Sequence, residues 1–331
     1  MYRKSSLTKR VYSLFIAILM SMTLVGCYID PGPLEETKQA IHTKKLIPTT
    51  IPLPKGFAPE GVARGYGPFI YAGSLADGSI LKVNVITGKY KPFVAPLGRM
   101  SVGMHFDRRR NLLFVAGGVS GYLSIFHGTT GKMLASYKVP TVVPFVNDII
   151  VHRDTAYITD SFNPIFYKLP LGRRGKFPPA SALKTISLSG DFVQTDGFNA
   201  NGIVLSPDKK SLLIVHSSLG TLFQVNPNTG KATTVDLQGD SLSSGDGMLI
   251  EGRTLYVMRN GFDWGGVSEV SVVRLHRSGS KGEVVRGLTH PKSDYATTIA
   301  SFGPFLYTVN ARFGTPATPD TTYDMIRFKK R

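Results

Sequence analysis

A single cysteine, Cys27, stands among 331 residues, so no disulfide can form within the chain. Histidine and cysteine nowhere fall at metal-ligand spacing, which argues against a zinc or copper centre. Long stretches of helical periodicity are also missing. In their place 35 Gly and 21 Pro point to many short strands joined by tight turns. Acidic residues are scarce: 22 Asp and Glu stand against 39 Lys and Arg, for a net charge of +17. Residues 1–26 hold Arg3, Lys4, Lys9 and Arg10 and no acid, so +13 remains on the rest. An apolar fraction of 42% is ample for a large core, and nothing has the composition of a disordered segment.

The basic stretch Arg3 to Arg10 precedes an apolar run from Val11 to Val25. This is the pattern of a secretory signal, too short to be kept as a spanning helix. The run ends in Leu24-Val25-Gly26-Cys27, which resembles the lipobox of bacterial lipoproteins. That resemblance implies cleavage before Cys27 and lipidation of its thiol, and it accounts for the lone cysteine. The expected organisation is a signal over residues 1–26, a polar tether over 27–46 and one domain over 47–331. The expected location is the bacterial cell envelope, anchored to a membrane by lipid.

From Ile47 onward the chain is a string of strand-length apolar runs, among them Phe69–Ser74, Leu112–Ala116, Thr155–Thr159, Leu212–His216, Thr254–Met258 and Phe305–Asn310. Each is preceded by a second run with its own recurring position: Glu60, Val102, Asn147, Asn201, Asp246 and Thr297. A third strand follows in each unit. It leads to a turn that reads Thr87-Gly88-Lys89, Thr130-Gly131-Lys132 and Thr229-Gly230-Lys231 in three of them. These Gly-Lys pairs lack the spacing of a phosphate loop, and no helix follows them. Four strands repeated six times predict an all-β fold, a six-bladed β-propeller with four-stranded blades. The last unit reaches only a third strand, so Ile47–Leu53 is expected to return as its outer strand and close the ring.

In a propeller the first strand of each blade lines the central channel, so the six recurring positions converge near one mouth. Four of them are carboxylates or amides on otherwise apolar strands. Buried carboxylates facing one another are costly without a cation or proton. Two carboxylates and two amide oxygens form a hard-oxygen set suited to calcium, or another divalent cation such as magnesium. Water and backbone groups in the channel are the alternative partners for such side chains.

Pro59-Glu60-Gly61, Asn147-Asp148, Asn201-Gly202-Ile203-Val204-Leu205-Ser206-Pro207-Asp208 and Asp246-Gly247-Met248 resemble the gluconolactonase, senescence-marker-protein and luciferin-regenerating-enzyme-like family. The resemblance runs from about Pro54 to Asn310. It implies a six-bladed propeller with Glu60, Asn201 and Asp246 as calcium ligands and Asn147 as a ligand or substrate contact. It also implies that Asp246 doubles as a catalytic base. The chain departs from the family at Asp148-Ile149, where Asp-Gly is usual, and at Asp160 to Pro164. The family's substrate-contacting Arg and Glu have no counterpart, so the resemblance carries the metal site further than a sugar-lactone substrate.

Loops between second and third strands belong to the mouth that carries the column. They hold Asn163, His216, Trp264 and Arg312 as candidate substrate contacts, with Phe162, Phe262 and Phe313 as apolar neighbours. His216 is read as an auxiliary acid or base, or as an ordinary rim histidine; Trp264 as a stacking platform, or as blade-edge packing. The opposite face collects Lys89, Arg108, Arg109, Arg110, Lys132, Arg173, Arg174, Lys176, Lys209, Lys210 and Lys231. An anionic lipid or a cell-wall polymer is the expected neighbour there, and nucleic acid is not. The expected activity is metal-dependent hydrolysis of a lactone or ester, a small-molecule substrate. The alternative is a non-catalytic envelope propeller that binds a sugar, peptide or protein partner around a structural metal.

Overall fold

The computed structural model describes residues 46–172 and 176–330. The signal, Cys27, nearly all of the tether, and Arg173 and Arg174 lie outside these described residues. The rest forms six antiparallel sheets in sequence order, each with the strand order of one propeller blade. The first blade runs Pro59–Arg64, Phe69–Ser74, Ile80–Asn84 and Tyr90–Val94 from axis to rim. The fourth blade gains a short fifth strand, Ser189–Gly190, which pairs in parallel with Lys231 and Ala232. The ring closes as the sequence predicts. Thr50–Leu53 pairs antiparallel with Tyr323–Lys329, so the start of the domain supplies the outer strand of the sixth blade.

Middle strands read as unbroken apolar runs because both of their faces are covered. Leu112, Phe114 and Ala116 pack toward the third blade, whereas Leu113 and Val115 pack toward the first. The same alternation around the ring produces six hydrophobic clusters, one at each interface between neighbouring blades. Among the described residues no cluster fills the axis, along which two cavities lie.

The Thr-Gly-Lys turns are hairpin turns. In the first, the Asn84 side-chain oxygen accepts from the Ile86 and Thr87 amides, and Gly88 takes the left-handed φ of 72°. Lys89, Lys132 and Lys231 are exposed there, on the face opposite the column, called here the lower face. Arg109 and Arg110 on that face are paired with Asp154, and Arg110 also with Asp107.

Candidate functional site

In four of the six blades the column residue sits in a β-bulge. The register of the inner strand shifts between Pro59 and Val62, Val146 and Ile149, Ala200 and Ile203, and Gly245 and Met248. A bulge re-aims one side chain relative to the pleat. The re-aimed residues are Glu60, Asn147, Asn201 and Asp246. All four are buried, and all four line one cavity of about 630 Å3 at the upper mouth. The glycine after the column residue is a packing requirement. A Cβ on Gly61 would stand 2.0 Å from the Val102 carbonyl oxygen, and one on Gly202 2.2 Å from that of Asp246.

The two remaining column positions differ. Val102 and Thr297 precede their inner strands, which begin at Met104 and Ala300. Val102 is apolar, and the Thr297 hydroxyl donates to the Glu60 carbonyl oxygen at 2.6 Å.

A second ring of residues, one step beyond the end of each paired middle strand, orients the first. Asn147 Nδ2 donates to Ser161 Oγ at 2.8 Å, and Asn201 Nδ2 donates to Ser217 Oγ at 2.9 Å. Both hydroxyls already donate to backbone carbonyls, those of Ala200 and Gly245. They can only accept from the amides, which fixes each amide with its nitrogen turned outward and its oxygen left over. In the fifth blade Asn260 Nδ2 donates to Asp246 Oδ2 at 3.1 Å.

Two acceptors remain unpaired. Glu60 Oε2 and Asn201 Oδ1 are buried without a hydrogen-bond partner among the described residues. A buried acceptor without a donor costs about 1–3 kcal/mol. Burial, followed by the nearby Asp246 and Asp148 carboxylates, pushes the Glu60 carboxyl well above the usual range. Burial and Asp148 likewise push Asp246 up to about 7, against hydrogen bonding from Asn260, Asn201 and the Gly247 amide. Among the described residues no group of three or more His, Cys, Asp and Glu is arranged to hold a metal. A cation at this ring would therefore have Glu60 and Asp246 for charge and amide oxygens for the rest. The unpaired oxygens and the mutual repulsion of the acids fit a hard cation.

Above this polar floor the cavity is apolar. Met100, Phe145, Phe198, Phe262 and Phe313 line it. Phe262 and Phe313 stack with centroids 5.5 Å apart, and Phe145 packs edge-on against Phe198 at 4.9 Å. Asp160 holds this rim together. Its Oδ1 accepts from the amides of Phe145, Phe162 and Asn163, and its Oδ2 accepts from the Tyr167 hydroxyl at 2.6 Å. Asp160→Ala would leave three half-buried amides without this acceptor, while the Tyr167 hydroxyl keeps Thr141 Oγ1 at 2.6 Å. It is expected to cost at least about 3 kcal/mol of stability, read as a fall in the urea midpoint.

Of the candidate substrate contacts from the sequence, Asn147 lines the cavity and the four loop residues do not. His216 is fully buried because it alternates with Ser217, and only Ser217 faces the axis. The His216 ring lies 5.4 Å from Phe192, with Nε2 donating to the Val193 carbonyl and Nδ1 accepting from the Leu219 amide. Asn163 is spent on Val143 and Asp160. Trp264 donates to the Val267 carbonyl beneath the Arg259 guanidinium, while its neighbour Phe262 turns inward. Arg312 bridges Asp294 and Asp324 at 3.1 and 3.2 Å. Nothing in the sequence marks Ser161, Ser217 and Asn260. Each follows its column residue by 14, 16 or 14 positions, too irregular a step to stand out.

No model of a protein family matches the sequence, and no curated protein matches it by sequence. Solved structures do match in fold. The major Malassezia sympodialis allergen Mala s 1 is 16% identical with a TM-score of 0.63, over 86% of this chain and 97% of that one. Regucalcin from Agrobacterium tumefaciens, a calcium-binding protein, is 17% identical with a TM-score of 0.57, over 84% and 93%. A luciferin-regenerating enzyme is 14% identical with a TM-score of 0.55, over 85% and 95%. At these identities the likeness is one of fold.

Proposed function

We propose that the chain is a calcium-dependent hydrolase of hydrophobic lactones or esters. The observation that carries this reading is the pair of buried, unpaired oxygens on Glu60 and Asn201, on the floor of an aromatic-lined cavity. Glu60, Asn201 and Asp246 would hold the ion, with Asn147 beside them. A divalent cation held there supplies polarisation of a carbonyl oxygen. Asp246 takes the proton from an attacking water, and Asn260 keeps its carboxylate in place through Oδ2. The phenylalanines seat the acyl or aryl portion of the substrate and exclude water from the ring below.

Sugar lactones suit this cavity poorly, because its walls offer them few hydrogen bonds. The test is a panel of γ-lactones and aryl esters with increasing alkyl length, assayed with calcium. The expected result is a kcat/KM that rises with chain length and leaves gluconolactone among the poorest substrates. Phe262→Ala should flatten that rise while leaving the shortest substrates little affected.

The alternative of a binding propeller with a structural cation draws on the four candidate contacts, His216, Asn163, Trp264 and Arg312, all consumed by the scaffold. It becomes the better account if folded, calcium-loaded protein hydrolyses no member of the panel. On either reading the chain works at the cell envelope, held to the membrane through Cys27, with anionic lipid or cell-wall polymer against the basic lower face. Among the described residues no helix is long and apolar enough to cross a membrane. If lipid on Cys27 is the anchor, Cys27→Ala is expected to move the protein from the membrane pellet to the soluble fraction. Retention in the pellet after a salt wash would contradict lipidation.

A further inference from the structure

Each inner strand lends several residues to the wall of a second cavity, of about 560 Å3, among them the one three positions past the column. The six are Ala63, His105, Ile150, Val204, Leu249 and Ala300. Five are apolar, and burial keeps the sixth neutral, with the His105 imidazole pushed down to about 4. The residues immediately after the column, Asp148, Gly247 and Thr298 among them, separate this bore from the upper cavity. Their polar groups are spent on the backbone. The Asp148 carboxylate accepts from the Ile149 and Ile203 amides at 2.8 and 3.1 Å. Thr298 Oγ1 donates to the Glu60 carbonyl and accepts from the Val62 amide.

The bore opens on the lower face beside Arg64 and Lys209. Arg64 Nε is buried with no acceptor among the described residues. Burial and the neighbouring Arg108 guanidinium lower the Arg64 pKa, against the nearby Glu251 carboxylate, which raises it. The acids nearby are already engaged. Glu251 accepts from Lys330 through both oxygens and from Ser301 Oγ, and Asp107 is paired with Arg110. A partly exposed guanidinium over the Phe302 ring, its Nε without an acceptor, at the mouth of a bore whose wall mixes apolar residues with Ser206 and Ser301, suits an anion with an aliphatic body. The volume falls within the roughly 300–1,000 Å3 of small-molecule sites.

We propose that this bore binds a single-chain fatty carboxylate, its chain between Ala63, Ile150, Val204, Leu249 and Ala300 and its carboxylate on Arg64, with Lys209 beside it. The site is independent of the metal centre and does not rest on the hydrolase reading. The test is displacement of a fluorescent palmitate from the full-length protein by palmitate, hexadecanol or hexadecyltrimethylammonium, below their micellar concentrations. Palmitate should displace the probe, hexadecanol should be at least about tenfold weaker, and the ammonium should fail. Arg64→Met should weaken palmitate about tenfold and leave hexadecanol unchanged. Val204→Trp, which fills the bore, should abolish both, whereas Met100→Trp in the upper cavity should alter neither. If Val204→Trp does not melt as a folded protein, the Arg64→Met comparison decides. The proposal is overturned if wild type binds no palmitate, if hexadecanol binds equally well, or if Met100→Trp removes binding that Arg64→Met leaves intact.

Discussion

Asp246→Asn is expected to lower turnover of the best lactone or ester by roughly 100- to 10,000-fold, the usual loss for a general base, while the protein still binds calcium, more weakly. Asparagine keeps an oxygen of nearly the same shape in the ring and removes the basic carboxylate. The Asn260 amide, which donates to Asp246 Oδ2, can still donate to an asparagine oxygen, so the local structure is kept. Asn147→Asp is the control: it adds charge beside the ring without touching the proposed base. Full activity in Asp246→Asn would remove Asp246 from the mechanism. Loss of activity together with all calcium binding would leave it as a ligand alone.

Glu60→Gln is expected to act in opposite directions on the two forms of the protein. Without metal, the fold raises the pKa values of Glu60, Asp148 and Asp246, chiefly by burial. A carboxyl whose folded pKa is raised contributes most to stability while it is protonated in both states, below about pH 4. That contribution falls as pH rises through the interval up to its folded pKa. For Asp246, moved from 3.8 to about 7, the loss is roughly 4 kcal/mol at about 1.4 kcal/mol per pH unit. Metal-free protein should thus melt at lower temperature at pH 8 than at pH 5. Glu60→Gln should raise the metal-free melting temperature at pH 8, where the native carboxylate is costly. It should also remove most of the stabilisation that calcium gives. A variant that calcium stabilises as much as wild type would remove Glu60 from the site.

The blades were legible because each unit repeats the same requirement: an inner strand with a recurring position, a middle strand buried on both faces and a tight turn beyond. Ring closure was legible for the same reason, since six units left one outer strand to find and Ile47–Leu53 was free to supply it, the paired part being Thr50–Leu53. Glu60, Asn147, Asn201 and Asp246 stood out as polar residues in a column otherwise set in apolar strands. The bulges that aim them were not visible, because a bulge is a matter of pairing register and adds no distinctive residue. His216 was singled out for its chemistry, yet strand alternation turns it between blades and gives the axis to Ser217. Phe145 and Phe198 lie just before the inner strands of the third and fourth blades, on connections of different length that share no repeat.

The central claim is that the polar ring binds a divalent cation, and the most direct test is the melting temperature of chelator-stripped protein titrated with calcium at pH 8 and pH 5. At pH 8 and a calcium concentration about 100 times its Kd, stabilisation near 2.7 kcal/mol should raise the melting temperature by roughly 5–10 °C. At pH 5 protons compete for Glu60 and Asp246, so the rise should be much smaller. A melting curve that neither calcium nor magnesium moves at either pH would contradict the metal site and leave the ring as a set of buried acids.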